Sequence, residues 1–93
     1  MAARSVARVD SNQRQIVEGL RKYGASVVCI HTIGNGCPDL IVGHKSRNFL
    51  FELKNPGGKL TDDEMKFHWH WKGMIWTIYS LEDAIEIIRE DLE

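Results

Sequence analysis

Cysteine is scarce in this chain. Cys29 and Cys37 are too few for a disulfide scaffold and form no Cys-x-x-Cys pair, so zinc-module and redox chemistry have little support and reduced thiols are expected. No apolar run approaches the ~18 residues of a membrane span, and the opening MAARSVARVD lacks the apolar centre of a signal peptide. Both absences make a cytoplasmic protein without a membrane partner the expectation. Gly34 and Gly36 belong to no Gly-x-x-x-x-Gly-Lys-Ser/Thr loop, which removes support for nucleotide-triphosphate binding. Internal repeats, low-complexity tracts and linkers are also missing. What remains is 93 residues at 43% hydrophobic content, read as one domain over residues 1–93, with residues 1–9 as a flexible basic tail. A chain of this size buries only about 60 to 65% of its unfolded surface, so a deep self-made cavity is not expected and dimerisation would help.

A net charge of −1 hides a segregation. From Leu81 onward stand six acids and one arginine, which leaves residues 1–80 with eleven bases against seven acids, a net of +4. A basic body with an acidic terminal helix can hold a phosphate backbone on one face. Arg4, Arg8, Arg14, Lys45, Arg47 and Lys59, with Lys66 and Lys72, are the candidate phosphate contacts, although a solvated surface explains any single one equally well. Several acting together would make binding strongly salt-dependent.

Hydrophobic spacing orders the chain. Ile16, Val17, Leu20 and Tyr23 recur at helical steps over residues 11–23, with Asp10 or Ser11 as cap and Gly24 as stop. Ser26 to Ile33 is a β-branched run, and Gly34-Asn35-Gly36 signals a turn. Leu40-Ile41-Val42 and Phe49-Leu50-Phe51 flank the polar stretch GHKSRN and read as an antiparallel hairpin. Thr61 and Glu64 form a capping box for a second helix ending before Gly73; Met74 to Tyr79 reads as a strand. Ser80 and Asp83 repeat the box before an apolar stripe of Leu81, Ala84, Ile85, Ile88 and Leu92. The expected order is αβββαβα, an α/β fold with a mixed sheet flanked by helices.

Strand alternation puts Phe49, Phe51 and Leu53 on one side and Leu50, Glu52 and Lys54 on the other. A symmetric hairpin pairs Val42 with Phe49, Ile41 with Leu50 and Leu40 with Phe51, which brings Asp39 opposite Glu52. Facing carboxylates at roughly 4.5–5.5 Å between β-carbons repel, so the pair asks for a cation between them. A hard divalent ion, Mg²⁺ or Mn²⁺, suits oxygen donors. The alternative is that Asp39 ends a turn while Glu52 and Lys54 line an ordinary solvated face.

Pro38-Asp39 followed by Glu52-Leu53-Lys54 resembles the PD-(D/E)XK nuclease superfamily, and the run GCPDLIVGHKSRNFLFELKNPGGKLTDDEMKFH is similar to its VRR-NUC family of small nucleases. The likeness spans about residues 12–78. It implies a restriction-endonuclease-like fold and a metal-dependent DNA endonuclease. The implied metal ligands are Asp39, Glu52 and the Leu53 carbonyl, and Lys54 orients or activates the attacking water. It also implies a homodimer acting on branched DNA such as four-way (Holliday) junctions. Two positions depart from the family pattern. Glu64 stands where a glutamine is usual, and a glutamate near the start of the first helix is not evident among Asp10, Gln13 and Glu18. Gln13 shares a helix face with Val17 and Leu20 and is the better inward candidate, unless it merely reciprocates the cap. These departures keep open a catalytically degenerate DNA- or protein-binding module; a sequence-specific restriction-type enzyme is a further reading, without an obvious recognition element.

Other residues admit plainer readings. Cys29, Cys37, His31, His68 and His70 lack zinc-module spacing, and a strand cysteine is usually packing. His31, in the strand leading to Gly34, could instead touch the scissile phosphate. Phe67, Trp69, Trp71 and Trp76 could stack unpaired bases, but core or dimer packing is the plainer reading, with Trp69 four residues after Met65 on a buried stripe.

Overall fold

The computed structural model describes residues 12–90. Arg4, Arg8, the basic tail of residues 1–9, the caps expected at Asp10 or Ser11, and Leu92 lie outside the described residues. Ile16, Val17 and Leu20 are buried along helix α1 (Gln13–Tyr23), which ends where Gly24 turns left-handed at φ 109°. The N-cap position is Asn12, not an earlier residue. Its side chain makes no cap bond; its amide donates to the Tyr79 carbonyl at 3.2 Å.

Strand β1 (Ser26–Cys29) is shorter than the β-branched run. The Ile30 N–H still bonds the Asp39 carbonyl at 2.8 Å, but His31–Ile33 then coil into a 3₁₀ turn, so His31 does not lie in a strand. Chain reversal explains the difference. Gly34, Asn35 and Gly36 all take positive φ to send Pro38-Asp39 back antiparallel, and the backbone must leave the extended state before it reaches them.

Strands β2 (Leu40–His44) and β3 (Arg47–Leu53) pair in the expected register: Leu40 with Phe51, Ile41 with Leu50, Val42 with Phe49. Only Lys45 and Ser46 form the turn, at φ 49° and 68°, while Gly43 sits in the ladder opposite Asn48. Two left-handed central residues are what the strand twist demands of a two-residue hairpin, yet neither is Gly or Asn. Ser46→Gly should therefore stabilise the protein by about 0.5–1 kcal/mol, the left-handed penalty of a side chain less the added chain entropy of glycine. Thermal unfolding should show this as a rise of a few degrees in Tm.

Helix α2 (Asp62–His70) crosses over to β4 (Trp76–Ile78), which runs parallel to β3, and α3 (Leu81–Glu90) closes the fold. The described residues form a small α/β domain with a four-stranded mixed sheet, in the order β1-β2-β3-β4, and three α-helices. One sheet face makes the core. Val27, Leu40, Val42, Phe49, Phe51, Leu53 and Ile78 pack there with α1 and with Ala84 and Ile88 of α3. Trp76 closes one side of it against the rings of Phe49 and Phe51. Among the described residues the opposite face is covered only at one end, by α2. Val28, Ile41 and Leu50 form a cross-strand row on the rest, beside Trp71 and Met74. Among the described residues no helix is long and apolar enough to cross a membrane.

Candidate active site

Helix α2 buries none of its side chains fully. The expected stripe of Met65 and Trp69 faces outward, at 49% and 84% exposure. Its half-buried positions are Glu64, Phe67 and His68, so the helix presents polar groups to the sheet. The reason lies beneath it: α2 covers the end of β3 where Glu52 and Lys54 project away from the core. Glu52, expected on the charged face opposite the core, is 1% exposed under this roof, which sets aside the alternative of an ordinary solvated face.

Asp39 enters from the start of β2. Its N–H bonds the Phe51 carbonyl at 3.0 Å, one residue off the Leu40–Phe51 register, and its Oδ2 accepts from the Leu53 N–H at 2.8 Å. Asp39 is thus not a plain cross-strand partner of Glu52; its carboxylate reaches along β3 past it. The two carboxyls are nevertheless within hydrogen-bonding reach. Because the N–H and C=O of one strand residue share an edge, the Leu53 carbonyl faces the Asp39 side as well. The Lys54 N–H points the other way, to the Ile78 carbonyl at 3.0 Å.

Burial, then the hydrogen bond and negative charge of Asp39, push the Glu52 carboxyl from 4.5 up to about 10. Without a cation Glu52 therefore holds a proton at neutral pH. Its Oε1 is fully buried without a hydrogen-bond partner, as is Nε2 of His68, 3.6 Å away. Burial also holds the His68 imidazole below its ordinary value. Lys54 reaches Glu64, Nζ to Oε1 at 2.7 Å, with the two side chains only 16% and 18% exposed. Burial would raise the Glu64 carboxyl, but the bonds from Lys54 and from the Thr61 backbone bring it below its usual value. Cys37 stands beside this cluster with its thiol pushed up by burial and by Glu52 and Asp39.

Glu64 has two functions. Its Oε1 accepts from the Thr61 N–H at 2.9 Å, while Thr61 Oγ1 accepts from the Glu64 N–H at 3.2 Å, so the capping box forms as the sequence suggests. The same oxygen fixes Lys54. Glu64→Ala should cost about 1–2 kcal/mol through loss of the cap and the half-buried ion pair, whereas Glu64→Gln should keep the cap and lose less. Paired thermal melts separate the two contributions.

The remaining expected residues divide by position. Gln13 is buried and meets His31, Nε2 to Nδ1 at 3.4 Å. Because Ile30 bonds Asp39, that pair stands at the Asp39 end of the sheet; the caps that Gln13 could reciprocate, Asp10 or Ser11, lie outside the described residues. Lys59 is exposed on the loop leading to α2, and Arg14 is exposed beside Glu18 at 4.0 Å. Lys45 and Arg47 are not with them. Lys45 lies in the hairpin turn and Arg47 opens the strand after it, at the far end of a five-residue strand and so about 17 Å from Asp39. Cys29 is exposed, not packed in the core. From the sequence, His68 stands out only among histidines and cysteines that lack zinc-module spacing. Its four-residue step from Glu64 was the signal that both share a helix face.

Among the described residues no three His, Cys, Asp or Glu side chains are set around one point. The arrangement offers a pair of neighbouring carboxyls, a backbone carbonyl edge and an ammonium nearby, which can share a proton or an oxygen-coordinated cation. No family model, curated protein or solved structure matches the chain.

Proposed function

We propose that the protein is a metal-dependent DNA endonuclease with the restriction-endonuclease-like arrangement that its Pro38-Asp39 and Glu52-Leu53-Lys54 motifs resemble. The observation that carries this reading is Glu52 Oε1, buried and unpartnered under α2, with the Asp39 carboxylate near enough to raise the Glu52 carboxyl. A buried, orphaned carboxylate oxygen beside a second carboxyl fits a missing cation better than it fits a structural role, since an isolated buried carboxylate is costly. Asp39, Glu52 and the Leu53 carbonyl would hold Mg²⁺ or Mn²⁺. The bound ion would supply charge to polarise the scissile phosphate and lower the pKa of a coordinated water.

The chain's own residues do the rest. Lys54, steered by Glu64, places its ammonium next to Glu52, where it stabilises negative charge developing on the phosphate or the attacking water. Gln13 and His31 flank the Asp39 end, in position to donate hydrogen bonds to a phosphate oxygen. The exposed Arg14 and Lys59 would add phosphate contacts. Lys45 and Arg47, remote from the carboxyls, would touch DNA away from the cut or on a neighbouring protomer.

The open row of Val28, Ile41 and Leu50 with Trp71 and Met74 supports a homodimer, which would pair two sites for cuts on branched DNA such as four-way junctions. The test is cleavage of labelled duplex, flap and four-way-junction DNA with Mg²⁺ or Mn²⁺, set against Asp39→Ala and Lys54→Ala, with mass in solution measured alongside. Equal activity in both variants would remove the site assignment. A binding module without catalysis is favoured by one observation, the tie of Lys54 to Glu64 where the resembled family has glutamine. DNA binding without metal-dependent cleavage would decide for it.

A further inference from the structure

Glu64 and His68 turn one face of α2 to the sheet. A neighbouring face carries Asp63, Lys66, Phe67 and His70, which recur at three- and four-residue steps. With Asn35 and Trp71 these residues line an open cleft of about 310 Å³. The Phe67 and Trp71 rings form its apolar wall, stacked on each other with centroids 5.5 Å apart and planes 17° from parallel. Asn35, at φ 56°, comes from the turn that leads to Asp39. That turn is set tightly against α2, since a Cβ on Gly36 would run into the Asp63 carbonyl. The cleft is thus preformed between two elements that also build the carboxyl site. Trp76 belongs instead to the core with Phe49 and Phe51, and Trp69 is 84% exposed and does not line the cleft.

We infer that this cleft takes one unpaired base of a DNA strand, stacked on the Phe67–Trp71 pair. The inference rests on the nuclease reading for the presence of DNA and adds a preference for strands with an unpaired nucleotide beside the cut. The lining selects such an occupant. Aromatic rings bind the face of an unpaired base, which a base inside a duplex does not offer. Asn35 brings an amide donor and acceptor, and Asp63 an acceptor, to the hydrogen-bonding edge that unpairing exposes. Lys66, exposed at the rim, supplies charge for the adjoining phosphate. A carboxylate in the lining opposes a free phosphate as occupant but suits a base that carries an amino group. Trp71 also borders the open apolar row with Met74 and Trp76, so a second protomer on that row meets it from another side.

Binding by the full chain in EDTA, where no metal supports cleavage, isolates recognition. A labelled duplex is compared with the same duplex carrying one bulged 2-aminopurine, whose fluorescence falls when it stacks. The wild type should bind the bulged duplex about ten-fold or more tightly than the plain one and quench the probe. Trp71→Ala should lose most of the preference and the quenching while keeping its affinity for plain duplex; Trp71→Phe should keep both, and Trp69→Ala should match the wild type. If Trp71→Ala does not fold, Asn35→Gly, which the left-handed backbone accepts, serves in its place and should reduce the preference several-fold. Equal affinity for the two duplexes, an unquenched probe, or a preference that survives Trp71→Ala would overturn the inference, and metal-dependent cleavage would then leave the nuclease reading standing. A Trp71→Ala protein that loses dimer mass but keeps the preference would assign the cleft to a second copy. Failure of the wild type to bind or cleave any DNA would overturn both.

Discussion

Lys54→Ala is expected to slow metal-dependent DNA cleavage by about 10²–10³-fold, the usual loss when one preorganised electrostatic group is removed. Mn²⁺ affinity should change by no more than a few-fold. The separation follows from geometry: Lys54 follows the strand that carries Glu52, its N–H bonds β4 and its ammonium is held by Glu64, so its removal leaves the Asp39–Glu52 contact in place. Single-turnover rates at saturating metal isolate the chemical step. A Lys54→Ala protein that cleaves at the wild-type rate would show that the ammonium takes no part.

Glu52→Gln should have the opposite profile on stability and binding. The folded carboxyl is held at about 10 against an ordinary 4.5, so below pH 4.5 it is neutral in both states and its contribution to stability is complete. As pH rises, the unfolded chain ionises while the folded chain keeps its proton. The folded state then binds more protons, and this contribution is lost progressively up to about pH 10. The metal-free wild type should therefore lose Tm across this window relative to Glu52→Gln, with the gap widening toward alkaline pH. Added Mn²⁺ should raise the Tm of the wild type and leave the variant unmoved, because the neutral amide replaces a charged ligand. Melts over a pH series with and without Mn²⁺ check both halves. A constant gap would mean that Glu52 is ionised in the folded protein.

The hairpin was legible because two constraints agree on it: period-two alternation of apolar residues, and a short polar segment able to turn the chain. Together they place Asp39 near Glu52 without coordinates. The burial of Glu52 was not legible, since alternation names its face but not what covers it. Helix α2 misled for the same reason. Met65 and Trp69 look like a buried stripe by hydrophobicity, yet the helix rests on a charged strand end, and its inward positions are Glu64 and His68. His31 was assigned to a strand from β-branching, a local preference overridden by the reversal at Gly34–Gly36. Lys45 and Arg47 were grouped with the other bases by charge alone; their position at the opposite end of β2 follows from strand direction.

On the proposed reading Asp39 and Glu52 together hold a divalent cation. Calorimetric titration of the full chain with Mn²⁺ at neutral pH, repeated in buffers of different ionisation enthalpy, tests it most directly. Uptake should be accompanied by release of about one proton per ion, the one Glu52 surrenders, and should vanish in Asp39→Asn and Glu52→Gln. Uptake without proton release, uptake unchanged in those variants, or no uptake by the wild type would contradict it.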